Sequence, residues 1–429
     1  MAEELALFGG EPVLKEDLPI TNNIGKEEKE AVMNVMDGGV LSGFVALAGD
    51  WFYGGEQVKN LEKEFAEFFG VKHAVSFNSA TTALHGAINA AGIGPGDEVI
   101  TSPYTMSATP SSVLLNGGIP IFADLDERTF CLDPVDVEKK ITDKTKAILT
   151  VNLFGHPSEM DKLKEIAEKH NLILIEDNAQ GPDAEYKGEK AGTIADMGIF
   201  SYNFHKTMQC GEGGVLVTNN DHYAFRAQLT RNHGEVVLDF YDDSDPLKNE
   251  NIIGNNYRLS EIHAAIAIEQ LRKLKFLNDK RIALADYLSE KLGEIPGLEP
   301  AYVQEGCKHV YYVYPIKYDE KVWGFPRKVF VEAMKKEGMP IGGGYVNPLY
   351  LIPMYQRLKI YNNSNFPFNL GNYSYPRGLC PVCERMYEKE LLTTNICRYP
   401  LTKEHIDLFV KAIKKIQANK DKLIEYSKK

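Results

Sequence analysis

The chain is 429 residues long and is poor in several things at once. No stretch approaches the roughly 18 consecutive apolar residues that a membrane helix needs, which argues against a helical membrane protein. Basic residues are outnumbered, 48 Lys and Arg against 60 Asp and Glu, for a formal net charge of −12. Such a surface repels phosphate backbones and anionic lipid, so neither nucleic acid nor a membrane is an expected partner. Cysteine is sparse. Cys131, Cys210, Cys307, Cys380, Cys383 and Cys397 are scattered as reduced thiols would be, unlike a secreted disulfide framework. Cys380-Pro-Val-Cys383 has no second pair, so a zinc knuckle is not expected and the two read as reduced thiols. No metal site is expected elsewhere. The start, Met1 to Phe8, is acidic and lacks both the basic and the apolar regions of a signal peptide. The expected compartment is the cytoplasm.

What is present is an ordinary packed composition, 44% hydrophobic and 25% charged, at a length that suggests more than one domain. From about residue 58, helix-period segments alternate with short β-rich runs, as in a parallel sheet covered by helices. The strands read as His73–Phe77, Glu98–Ser102, Ile119–Asp124, Lys146–Leu153, Leu172–Glu176, Met197–Tyr202 and Gly214–Thr218. Ser158 reads as the cap of a helix running to about His170. Arg258–Leu292 reads as one long helix that joins two domains. Past Gly297 the composition turns to Tyr, Pro and Lys, with a strand over His309–Tyr318 and a Lys-rich helix from Leu401. The expected fold class is α/β: a large domain with a central, mostly parallel seven-stranded sheet flanked by helices, plus a smaller α+β C-terminal domain. The expected division is an N-terminal arm over 1–50, a large domain over 51–295 and a small domain over 296–429.

Three neighbourhoods fall where strands end, which is where open α/β sheets bind ligands. Asn78-Ser-Ala-Thr-Thr82 is a strand-to-helix turn whose free N–H groups and hydroxyls suit a phosphate, although in isolation simple capping is the favoured reading. Glu176-Asp-Asn-Ala-Gln180 places an acid after a buried strand, free to cap a helix or to pair with a protonated ring nitrogen; a metal would need ligands that are not nearby. Ser201 to Gly214 carries Lys206 in a low-charge segment between two core strands. A partly buried lysine has a lowered pKa and is a nucleophile for Schiff-base chemistry. A phosphate cup, an acid for a pyridine nitrogen and an amine for an aldehyde are together what pyridoxal 5′-phosphate (PLP) requires.

At these residues the chain resembles the DegT/StrS family of PLP-dependent sugar aminotransferases, which have the type I PLP fold. The similarity continues through Gly96-Asp-Glu-Val-Ile100, Val151-Asn-Leu-Phe-Gly-His-Pro157, Arg231-Asn-His-Gly234 and Asn256-Tyr-Arg-Leu-Ser-Glu261. It implies that Lys206 is the Schiff-base lysine and proton carrier, and that Asp177 keeps the pyridine nitrogen protonated. It further implies that Gln180 lies beside the ring oxygen, and that Ala80, Thr81, Thr82 and Ser201 bind the phosphate. Asn256 is implied to reach that phosphate from the other subunit of a homodimer. The implied reaction moves an amino group from L-glutamate or L-glutamine to a keto sugar, nucleotide-linked, or to a cyclitol.

Two positions depart from the family pattern. Met106 stands where a ring-stacking aromatic is usual; a thioether can pack on a ring, and Tyr104 is the alternative. Asn178 replaces a small apolar residue. Some relatives carry histidine at the lysine position and are sugar dehydratases. His205 precedes Lys206, but four residues separate Lys206 from Gly211, which is the aminotransferase spacing. The alternatives to transamination are dehydration or aromatisation on the same cofactor, and a non-catalytic regulator. His233, Tyr345 and Tyr350 read as structural residues with a lesser claim on the pocket.

Overall fold

The computed structural model describes residues 3–234 and 252–428. Met1, Ala2 and Lys429, at the outer ends of the expected arm and small domain, lie outside the described residues, as do 235–251 within the expected large domain. Seven strands form one sheet: β1 (His73–Phe77), β2 (Glu98–Thr101), β3 (Ile119–Phe122), β4 (Thr145–Val151), β5 (Ile173–Asp177), β6 (Met197–Ser201) and β7 (Gly214–Thr218). Their order is β1-β7-β6-β5-β4-β2-β3. Pairing is parallel from β6 to β3, and β7 runs antiparallel to both of its neighbours. The strands are short, apolar and buried on both faces, as a helix-covered sheet demands. The covering helices are α1 (Lys26–Gly38), α2 (Glu56–Phe69), α3 (Ala80–Ala90), α4 (Ala108–Leu115), α5 (Pro134–Lys139), α6 (Met160–His170), α7 (Asp221–Arg231) and α8 (Glu261–Gly293).

Direction decides where the site can form. Strands β1, β4, β5 and β6 all run one way, so their C-terminal ends share an edge of the sheet, and β7, running back, begins there at Gly214. In register, Phe77 and Ser201 flank Gly214 from its two sides.

The helix over 160–170 starts later than expected. Ser158 does not cap it: its hydroxyl bonds Thr150 Oγ1 at 2.7 Å, and its amide donates to Asn152 Oδ1 at 2.9 Å, so Ser158 ties β4 to the loop behind it. Helix α8 likewise starts at Glu261, where Ser260 accepts the His263 amide. The strand expected from His309 begins only at Tyr314, because Tyr311 takes a left-handed backbone (φ 48°) that breaks an extended run.

A second, antiparallel sheet of Leu298–Glu299, Tyr314–Tyr318, Leu391–Thr394 and Gly342–Gly343 shares its core with the end of α8 and the helix Lys403–Ala418. Leu5, Leu7, Phe8 and Leu14 pack into that same core. Glu337 fixes them there, accepting the amides of Ala6 and Val13 and the ammonium of Lys415. Residues 345–391 instead lie against the β3 edge of the large sheet, where Tyr375 Oη donates to the Pro120 carbonyl at 2.9 Å. This covers an edge that would otherwise be exposed. Among the described residues no helix is long and apolar enough to cross a membrane.

Candidate active site

The C-terminal edge of the sheet gathers the residues singled out above. Adjacent residues of a strand face opposite ways, so Glu176 and Asp177 at the end of β5 serve different purposes. Glu176 is structural: its buried carboxylate accepts the amides of Gly192, Ile194 and Ala195 and the side chain of Asn152. Asp177 is 4% exposed. Its Oδ2 accepts the Thr109 hydroxyl at 2.8 Å, and its Oδ1 accepts the Ala179 amide at 3.2 Å. Both bonds fix the plane of the carboxylate and leave acceptor capacity on each oxygen.

Lys206 lies in the loop between β6 and β7, which is closed by Tyr202 N–H to Gly213 O and Cys210 N–H to Tyr202 O, both 2.9 Å. Its Nζ stands 4.3 Å from the centroid of the Tyr312 ring. Burial lowers the Lys206 pKa to about 8, against the opposing pull of the Asp177 charge. Burial also raises the Asp177 pKa, offset by the Thr109 and Ala179 hydrogen bonds and by the charge of Lys206. Each group is taken from water and steadied by the other.

Beside them, Ser79 caps α3 by accepting the Thr82 amide at 3.2 Å, and the Thr82 hydroxyl returns to Asn78 Oδ1 at 2.7 Å. The amides of Ala80 and Thr81 belong to the first turn and have no carbonyl of their own helix to bond. Gly214 lets this turn approach: a Cβ there would sit 2.5 Å from the Ala80 nitrogen. Buried Ser201 accepts the Asn203 amide at 3.2 Å, which leaves its hydroxyl hydrogen to donate. Gln180 is held by accepting the Phe154 amide at 2.9 Å, and its Nε2 lies 3.4 Å from Tyr345 Oη.

Met106 is 62% exposed. Tyr104 is wholly enclosed, and its hydroxyl accepts the Tyr345 amide at 2.8 Å. Asn178 is buried and bonds Asn152 and the Ala191 carbonyl, behind the site. Asn256 is exposed, and its Oδ1 lies 3.5 Å from the Arg258 amide. Arg231 is fully buried against Glu62, and Asn232 binds the carbonyls of Val45 and Phe52, so these two residues of the motif are held in structural contacts. Tyr350 bonds Glu384. Cys380 and Cys383 are free and buried, and burial pushes both thiols up. Among the described residues no group of three or more His, Cys, Asp or Glu is placed to hold a metal ion.

Sequence reading missed Thr109 and Tyr312. Thr109 is the second residue of α4, with nothing in its neighbours to mark it, and Tyr312 is one of several tyrosines in a stretch where most are core.

A seven-stranded α/β domain with a buried acid and a poised lysine at one sheet edge, beside the free amides of a helix start, defines a type I PLP enzyme. The chain belongs to the DegT/DnrJ/EryC1/StrS aminotransferase family, whose profile matches residues 44–389, and it is a PLP-dependent aminotransferase. It is 34% identical to a spore coat polysaccharide biosynthesis protein, SpsC, of Bacillus subtilis over 83% of this chain and 89% of that one. It is 36% identical to GDP-perosamine synthase of Caulobacter vibrioides over 71% and 80%. With L-glutamine:2-deoxy-scyllo-inosose aminotransferase of Streptoalloteichus tenebrarius it shares 33% over 90% and 91%. Among solved structures, an aminotransferase from Psychrobacter cryohalolentis superposes with a TM-score of 0.81 at 28% identity, over 94% of this chain and 99% of that one.

The residues fit the cofactor. A buried carboxylate short of positive charge suits a protonated ring nitrogen, free first-turn amides with a spare hydroxyl suit a phosphate, and an amine of lowered basicity suits an aldehyde.

Proposed function

We propose that this chain transfers the amino group of L-glutamate or L-glutamine to the ketone of a nucleotide-linked keto sugar or a cyclitol, as a cytoplasmic homodimer. The observation that carries the reading is the coupling of buried Asp177 to a lysine whose pKa is lowered to about 8. PLP, when bound, supplies an aldehyde for the donor amine and a ring that draws electrons from the carbon losing its proton. The chain supplies the rest. Asp177, aimed by Thr109 and the Ala179 amide, holds a proton on the ring nitrogen. Lys206 Nζ, close to neutral pH in basicity, takes a proton from one carbon and returns it to another. The amides of Ala80 and Thr81, with the hydroxyl of Ser201, anchor the phosphate, and Thr82 shapes the turn around it through Asn78 and Ser79. Gln180 fixes the ring oxygen, and Met106 covers the ring face.

Asn256 completes the phosphate site from the other subunit. Its exposed position on a single chain supports this, as do Met33, Met36, Val40, Leu41, Leu47 and Trp51, which are all exposed and apolar on the N-terminal segment. A nucleotide sugar or a cyclitol as acceptor, and glutamine as a donor, rest on the likeness to GDP-perosamine synthase and to the glutamine-dependent inosose aminotransferase.

The test is incubation with [α-15N]glutamate or [α-15N]glutamine and a panel of keto sugars, keto sugar nucleotides and inososes, read by mass spectrometry. Heavy nitrogen in one product is expected. An eliminated product without nitrogen, or turnover of none of the panel, would contradict the reading.

A further inference from the structure

The aromatic ring nearest the Lys206 amine has no part in the reading above. The ring of Tyr312 lies 4.3 Å from Nζ, within the range at which an ammonium is held by an aromatic face. The ring sits in the segment that leads into the strand Tyr314–Tyr318, next to a residue that is not relaxed. Tyr311, its neighbour, is buried with φ 48°, a conformation that costs a bulky residue free energy and persists only where the surroundings impose it.

Two sets of contacts impose it. The Tyr311 ring is stacked between His309 at 3.9 Å and Tyr314 at 5.7 Å. Arg281, reaching across from α8, donates from Nη1 to the carbonyls of both Tyr311 and Tyr312, each at 3.1 Å. Among the described residues Arg281 has no carboxylate partner, and its Nε is buried with no acceptor. A guanidinium kept in such a place contributes through those two carbonyls.

We propose that Tyr312 is the seat of the Lys206 amine whenever that amine is not covalently engaged, and that Arg281 is the positioning residue that aims the ring. The inference rests on the reading of Lys206 given above. An amine released during turnover must stay within reach of the carbon it serves. A flat π face beside the loop retains it as an ammonium without donating or accepting a hydrogen bond, and lets it leave again as a base. Among the described residues Asp177 on β5 acts on the Lys206 charge and His205 adjoins it on the loop; Glu212 faces His205, and Tyr345 faces Asp177 and Tyr312. Asp177 favours the charged amine through its charge, and Tyr312 through its ring face.

The experiment uses the full-length enzyme loaded with pyridoxamine phosphate, which has no aldehyde and leaves Nζ free. Lys206 is labelled with trinitrobenzenesulfonate between about pH 6 and 10, and the midpoint of its labelling is read from the peptide by mass spectrometry. Removing the ring withdraws support from the ammonium, so in Tyr312→Leu the midpoint moves down by roughly half a unit or more, a threefold or greater gain in labelling at neutral pH. Tyr312→Phe keeps the face and restores the original midpoint. Arg281→Met moves it in the same direction as Tyr312→Leu, with the near-ultraviolet circular dichroism of the folded enzyme retained. A Tyr312→Leu midpoint that stays in place or rises overturns the role of Tyr312, and an unmoved Arg281→Met midpoint overturns that of Arg281. The underlying reading is tested separately in the same samples: PLP followed by borohydride marks the Lys206 peptide of each variant if Lys206 is the cofactor lysine. Loss of that mark from the unsubstituted enzyme defeats the reading, whereas a mark with unmoved midpoints defeats this inference alone.

Discussion

At the scale of the residue, the site is a pair of charges that neither water nor ordinary surface partners stabilise. Asp177 is pushed up by burial, Lys206 is pushed down, and each is the counterweight of the other. Replacing Asp177 by Asn keeps shape and hydrogen bonding but removes the charge that would keep a ring nitrogen protonated. Asp177→Asn is expected to lower kcat by about a hundredfold or more in steady-state assays, with the fold intact by circular dichroism. A loss under threefold would mean that the ring does not lean on this carboxylate. Lys206 stood out in the sequence because a lysine in a low-charge segment between core strands is unusual, whereas Asp177 read as readily as a helix cap and was singled out by the family resemblance. Thr109 and Tyr312 were not, because a threonine on a helix and a tyrosine in an aromatic-rich stretch look the same whether they face a ligand or a core.

At the scale of the element, the phosphate site depends on close approach. Gly214 begins β7 directly beside the first turn of α3, and the space a methyl group would need there is already taken by the Ser79–Ala80 backbone. Gly214→Ala is therefore expected to cost about 1–3 kcal/mol of stability and to weaken PLP binding. Chemical denaturation measures the first and absorbance titration the second. Unchanged affinity in a destabilised variant would remove the α3 turn from the phosphate site. The large sheet was readable because its strands are continuous apolar runs bounded by polar turns. The misread ends have physical reasons. Ser158 had the right chemistry for a cap but is engaged by β4, and the stretch before Tyr314 has strand-forming residues but is bent by Tyr311. Tertiary contacts decided both, and neither lies within the local window that patterning reads.

At the scale of the whole molecule, the chain joins its parts through neutral histidines. His156 and His309 meet edge to face at 5.3 Å, where residues 152–157 of the large sheet's loop touch the segment leading into the second sheet. His156 Nε2 accepts the Gln304 amide at 3.1 Å, and its Nδ1 lies 2.7 Å from the Pro157 carbonyl. Burial holds the His156 pKa down at about 4 and that of His309 well below the usual imidazole value. The sign follows from which state binds protons: below about pH 6.5 the unfolded chain protonates these residues and the fold does not. The contribution of these two histidines is thus level above about pH 6.5, and it falls as the pH drops toward 4, by an amount on the order of 3 kcal/mol from His156. Urea midpoints measured across this range check it. His156→Gln should flatten the slope, and an equally steep slope in that variant would place the acid sensitivity elsewhere.

The central claim is that one lysine faces one carboxylate across a bound PLP ring. The most direct measurement is borohydride reduction of the PLP-loaded enzyme, followed by proteolysis and mass mapping of the phosphopyridoxyl group. The account requires the group on Lys206, and its disappearance together with the near-visible absorbance in Lys206→Ala. A phosphopyridoxyl group on any other lysine, or an unchanged spectrum in Lys206→Ala, would contradict it.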